Sequence, residues 1–175
     1  MNSVRCHGNG RWVRILSCLP ALMLSGGSHL TAAGISLDPE VDPWVAKTVV
    51  IIKSSSTFLE AKAAAVAAAS RLNLPLDLRN LTESKVTGLT LPRAECEEDG
   101  GAYPCYMARG RYDDGVYISV EYSNAYRGFA KRLFIVVVAS GFGHDEPLQQ
   151  ALAQARKEYP DAYAKVTKVY MGCMH

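Results

Sequence analysis

A chain of 175 residues, 49% of them hydrophobic, holds one domain's worth of core. Its 19 basic and 17 acidic side chains are scattered, which excludes the electrostatic footprint of a nucleic-acid binder. They also form no polybasic cluster that would hold the chain to an anionic membrane surface.

The first 33 residues read as an export signal rather than as part of the fold. Arg5, Arg11 and Arg14 open it without an acid, residues 15–24 (ILSCLPALML) are apolar, and SGGSHLTAA supplies small residues for cleavage after Ala32 or Ala33. Ten apolar residues fall short of the roughly 20 that span a bilayer, so no stable membrane insertion is expected. The leader carries three of the 19 basic residues and none of the 17 acids, which leaves the rest near −1. The expected location is the periplasm or the exterior. There Cys96 and Cys105, which flank EEDGGAYP, are expected to close a disulfide, with pairing of either to Cys173 the alternative. A C-x8-C pair alone is a poor zinc site.

Residues 34–46 read as an extended lead-in, rich in acids and proline. Residues 48–52 (TVVII) form a continuous β-branched run, as in a strand buried on both faces. Thr57 with Glu60 is a capping-box pattern that starts an Ala-rich helix, and Asn73-Leu74-Pro75 ends it. Residues 76–78 are expected to be a short strand, and residues 80–105 an irregular stretch long enough to be functional or simply stapled. Residues 106–112 and 116–123, joined by Asp113-Asp114-Gly115, predict a hairpin with Gly115 in the left-handed region. One hairpin face would carry Ala108, Gly110 and Tyr112 with Val116, Ile118 and Val120. The other would turn Met107, Arg109 and Arg111, with Tyr117, Ser119 and Glu121, to solvent or a ligand.

Residues 133–139 are the most apolar strand. A Gly141-Phe142-Gly143 turn follows, then a helix with Asp145 as N-cap and Leu148, Leu152 and Ala155 at helical spacing. A last, half-exposed strand alternates Ala162, Ala164 and Val166 with Tyr163, Lys165 and Thr167. The order is strand–helix–strand, inserted hairpin, strand–helix–strand. That predicts an α+β fold, a ferredoxin-like split βαβ sandwich over residues 47–175, with the insertion at 80–123. The sheet face away from the helices is then bare unless residues 80–105 cover it.

Chemistry is sparse. The Gly141-x-Gly143 turn lacks a third glycine and is followed by Asp145 and Glu146, which would repel phosphate. Cys173 with His144 or His175 carries no nucleophile signature. The acids Asp113-Asp114 and Glu97-Glu98-Asp99 stand where turns want them. No catalytic residue, metal site or cofactor is expected, and the protein reads as a non-enzyme. Tyrosines next to arginines on a sheet face could instead stack on sugar rings and hydrogen-bond their hydroxyls. Arg109, Arg111, Tyr117, Glu121 and Tyr126 are therefore the candidate ligand-binding residues. Against this, strands favour tyrosine anyway, and Arg109 can simply pair with Glu121.

Residues 134–142 (FIVVVASGF) followed by a helix resemble the strand–turn–helix opening of SPOR domains, and residues 47–79 resemble the first half of that domain. The resemblance implies a βαββαβ envelope module whose sheet face binds peptidoglycan glycan strands. The expected partner is cell-wall glycan. The alternative is an envelope protein, with the acidic 96–105 loop plugging an enzyme's cleft as an inhibitor or immunity protein would.

Overall fold

The computed structural model describes residues 42–172 except Asp99 and Tyr112. The expected leader, most of the lead-in and Cys173 lie outside the described residues. The rest is mixed α+β, built on a five-stranded antiparallel sheet.

The first strand, β1 (Trp44–Ser55), is longer than the TVVII run suggested, and takes Trp44 to Ala46 out of the lead-in. It is followed by α1 (Phe58–Leu72), whose Thr57 cap accepts the Glu60 backbone N–H at 3.4 Å. The other half of the capping box is relayed. Ser55 Oγ accepts the Thr57 N–H at 3.1 Å and donates to Glu60 Oε2 at 2.6 Å. Asn73, at φ 51°, closes the helix in the left-handed region. Ala61, Ala65, Ala68 and Leu72 are its buried row. With three methyl-sized side chains in that row, α1 lies close on the sheet, and a larger residue such as Leu at 65 would overpack by about 1–3 kcal/mol.

Next come a small hairpin, β2 (Thr82–Ser84) with β3 (Gly88–Thr90), and the short helix α2 (Arg93–Glu98). The chain then forms β4 (Gly115–Tyr122), the two-residue β5 (Tyr126–Arg127), β6 (Phe134–Gly141), α3 (Glu146–Glu158) and β7 (Tyr163–Tyr170). Strand order across the sheet is β4-β6-β1-β7-β5. The expected strand at 76–78 is reduced to one parallel bridge, Leu76 to Ile118, at the outer edge of β4.

Both long helices pack on one face, over β1, β4 and β6. Val50, Ile52, Val120, Val136 and Val138 meet Ala61, Ala65, Leu148 and Ala151 there. Each fully buried valine or larger apolar side chain contributes roughly 1.5–3 kcal/mol. Leu81, Leu89, Leu91 and Cys96 extend this core past the β4 edge, and Cys96 is bonded to Cys105 as expected. So residues 80–105 do not cover the second sheet face. Ala108, Tyr126, Phe129 and Leu133 cover it, packing on Val49, Ile51, Ile135 and Val137. Every residue of β6 is buried, which is why its sequence is apolar without alternation.

The predicted hairpin is half wrong. Only its second arm is a strand, and residues 106–111 cross the sheet without pairing. The reason lies in the β4–β6 ladder, which slips register between Val116 and Ser119. A slip strands ladder carbonyls, and Arg109 turns inward to take them.

Candidate functional site

Arg109, Glu121 and Tyr126 have no exposed surface, which places them inside the protein rather than on a ligand-facing sheet surface. Arg109 Nη1 donates to the carbonyls of Tyr117 at 2.8 Å and Val137 at 3.4 Å and to Ser119 Oγ at 3.1 Å. Its Nη2 donates to the Gly115 carbonyl at 2.8 Å. The guanidinium carbon lies 3.4 Å from the centre of the Tyr117 ring, a cation–π contact. Gly110, at φ +87°, makes the bend that aims Arg109 inward.

The expected Arg109–Glu121 pair exists only through the backbone: the Arg109 N–H donates to Glu121 Oε2 at 3.0 Å. The cation that meets the carboxylate is Arg79, whose Nη2 reaches both oxygens at 2.7 Å. Tyr106 donates its hydroxyl at 2.6 Å and Tyr126 at 3.2 Å. Glu121 is thus a buried carboxylate met by a guanidinium on both oxygens and by three further donors on Oε2, the kind of pairing under which burying a charge is tolerable. Burial first, and the Glu121 charge second, push the hydroxyls of Tyr106 and Tyr126 well above the usual tyrosine range. Desolvation pulls Arg109 below the usual arginine value, and burial raises Tyr117, whose hydroxyl donates to Asp113. Arg111 is half-buried and clamps the end of β7, donating to the carbonyls of Tyr170 at 2.7 Å and Gly172 at 2.6 Å. The five candidates therefore belong to the interior and its rim, where they hold the crossing segment to the sheet.

The glycine turn at 141–143 is also fastened from inside. Thr48 Oγ1 donates to the Gly143 carbonyl, and Lys47, paired with Asp114, lies under the Phe142 ring at 3.4 Å. Among the described residues no group of three or more His, Cys, Asp and Glu side chains is placed to hold a metal ion. No helix among them is long and apolar enough to cross a membrane.

What the fold leaves open is a strip of sheet on the helix side. The helices cover β1, β4 and β6, and toward β5 the cover thins: Thr48 is still buried, Trp44 and Tyr170 are half-buried, and their neighbours are exposed. Register puts Trp44 beside Tyr170, Ala46 beside Lys168 and Thr48 beside Val166, with Arg127 next to Lys168. Of these, Val166 is 55% exposed, and Ala46, Arg127 and Lys168 are exposed too. Trp44 meets Tyr170 edge-on at 5.3 Å, and the Arg127 guanidinium lies 3.8 Å from the Trp44 ring centre. Lys168 reaches Asp42 at 2.9 Å, and that hydrogen bond holds the Asp42 carboxyl below its usual range. The result is a ledge of two aromatic rings, two cations and a valine.

Sequence reasoning misses this ledge, because Trp44 falls in the expected lead-in and Val166 in an expected half-exposed strand with no ligand-facing role. One signal was present: alternate residues from 164 to 170 read Ala, Val, Lys, Tyr, too mixed for a core face. Compared with known proteins, the chain matches no family model, no curated protein and no solved structure.

Proposed function

We propose that the protein is an exported cell-envelope binding module that contacts the glycan strands of peptidoglycan along the bare strip of β1, β5 and β7. The observation that carries this reading is the Trp44–Tyr170–Arg127–Lys168 ledge on otherwise uncovered sheet. Aromatic rings offer apolar faces to sugar rings, and flanking polar tips hydrogen-bond the hydroxyls. Binding is non-covalent and uses no cofactor.

The architecture supports it by analogy. Strand order β4-β6-β1-β7 with α1 and α3 on one face is the arrangement we read as a split βαβ, ferredoxin-like fold, which SPOR domains share. The ligand surface moves from the sheet centre, which Ala108, Tyr126, Phe129 and Leu133 cover, to its margin.

Sedimentation of the purified protein with peptidoglycan, before and after amidase treatment, tests the proposal. Pelleting is expected, and Trp44→Ala is expected to weaken it at least about tenfold, the worth of roughly 1.4 kcal/mol of stacking. No pelleting with either preparation sinks the proposal, as does full binding by a folded Trp44→Ala variant.

A second reading rests on the Cys96–Cys105 loop, which holds Glu97, Glu98 and Tyr103 exposed on a stapled frame. It makes the protein an inhibitor of an envelope enzyme. Loss of a tight protein partner on Tyr103→Ala, with peptidoglycan pelleting absent, would favour it.

A further inference from the structure

Basic side chains that are scattered along the sequence are gathered by the fold at one edge of the sheet. Arg127, Lys131 and Arg132 belong to β5 and the turn after it, and Lys165 and Lys168 to the neighbouring β7. Register sets Arg127 opposite Lys168. Lys165 donates to the Gly128 carbonyl at 2.6 Å, and Lys131 to the carbonyls of Asn124 and Tyr126 at 3.4 Å. Asn124 Oδ1 accepts the Arg132 N–H at 2.7 Å. These bonds pin the turn in place, but a carbonyl carries no net charge to set against an ammonium.

The edge is left positive. Of its five cations, Lys168 alone has an acid within ion-pair distance among the described residues, and that acid is the exposed Asp42. The fold treats its buried cations otherwise, setting Asp114 against Lys47 and Glu121 against Arg79. Arg127, Lys131 and Arg132 are all exposed.

We propose that this edge is a second subsite, continuous with the Trp44–Tyr170 ledge, that takes the carboxylates of an acidic glycan strand. It rests on the glycan reading and adds the ligand's charge to it. Arg127 joins the two regions, since its guanidinium lies 3.8 Å from the Trp44 ring centre and its neighbour across the ladder is Lys168. A sugar ring stacked on Trp44 therefore has a guanidinium beside it, which matches a carboxylate with two parallel hydrogen bonds. Groups further along the strand meet Lys165, Lys131 and Arg132.

A polymer chain fits this edge better than a membrane surface does. Successive residues of a strand point to opposite faces of the sheet. Lys168 thus stands on the ledge side, while Lys165, 4.7 Å from the centre of the Phe129 ring, stands on the other. No flat anionic surface meets both, whereas a chain rounding the edge does.

Titration with polygalacturonate, a carboxylate polysaccharide, and with its neutral methyl ester tests the charge requirement. The acid form is expected to bind at least about tenfold more tightly, and to lose at least about tenfold between roughly 50 and 500 mM salt as the charges are screened. Lys131→Gln combined with Arg132→Gln is expected to weaken that binding at least about fivefold, with an unchanged unfolding midpoint because both side chains lie at the surface. Conversion of peptidoglycan carboxyl groups to amides with carbodiimide and ammonia is expected to weaken pelleting at least about fivefold.

Equal affinity for the two polygalacturonate forms, binding to neither, or an unchanged double variant overturns the proposal. Tighter binding to vesicles of pure phosphatidylglycerol also overturns it and assigns the edge to a membrane. Pelleting that survives amidation yet is weakened by Trp44→Ala removes this subsite and leaves the glycan reading intact. Polygalacturonate binding through Lys131 and Arg132, with no pelleting of peptidoglycan, supports the acidic subsite and sinks the peptidoglycan reading.

Discussion

The two margins of the sheet handle polar groups in opposite ways. Under the crossing segment, two guanidiniums, a carboxylate and two phenols are driven inside, and each is met by a partner at hydrogen-bond distance. Along the β1–β7 strip, aromatic and basic side chains of the same types stay at the surface, with valine beside them. Residue type therefore does not decide which arginine or tyrosine is structural. A ladder slip at Val116–Ser119 supplies carbonyls that only an interior donor can satisfy, whereas the strip presents a regular ladder that needs nothing more.

The sharpest way to break that contrast is Glu121→Ala. It removes the counter-charge of Arg79, 18% exposed, and leaves the Tyr106 hydroxyl and the Arg109 backbone N–H without their acceptor, while Tyr126 falls back on the Arg109 carbonyl, and is expected to cost about 3–5 kcal/mol in urea unfolding. A loss below about 1 kcal/mol would reduce the network to filler.

Alkali should find the same region. The folded-state values of Tyr106 and Tyr126 lie well above 10, and in the unfolded chain both ionise near pH 10. The folded state then holds more protons above that point. Stability is complete below pH 10 and falls as pH rises from there, by about 1.4 kcal/mol per unit for each tyrosine. Tyr117, raised by burial as well, adds a third such contribution, so Tyr126→Phe is expected to cut the slope by about a third. Tyrosinate absorbance from the pair should appear only with unfolding, and early ionisation of both in the folded protein would contradict their burial.

The disulfide is a control outside both regions. Its partners are nine residues apart, and loop-closure entropy gives Cys96→Ser with Cys105→Ser a loss of about 2–3 kcal/mol. Pelleting with peptidoglycan should be unchanged while the variant is folded. The smallest effect belongs to the strip: Val166→Thr is expected to shift stability by no more than about 0.5 kcal/mol. A larger loss by thermal melt would mean that the strip is core after all.

Much of the scaffold was legible in order. The TVVII and FIVVVA runs are strands buried on both faces, Thr57 and Asn73 bound α1, and Cys96 is bonded to Cys105. Asp145 does stand at the start of α3, though its side chain makes no capping bond. The candidate ligand residues were legible only as types. Alternation predicted that Arg109 and Glu121 would share a face with Tyr117, and the chain instead bends at Gly110, sending the guanidinium inward and leaving the carboxylate to Arg79, 42 residues away in sequence.

By itself, then, the sequence determined what local interactions can decide: which runs are apolar at period one, where a helix can start and stop, and which cysteines are close along the chain. Tertiary structure decided which side chains would be covered. Coverage depends on segments that meet from far apart, as Ala108 and residues 125–133 do on the second sheet face, and on the edges where none arrives. Val166 is exposed and Trp44 only half-buried because the helices pack mainly over β1, β4 and β6, and no period along the chain encodes the reach of a helix.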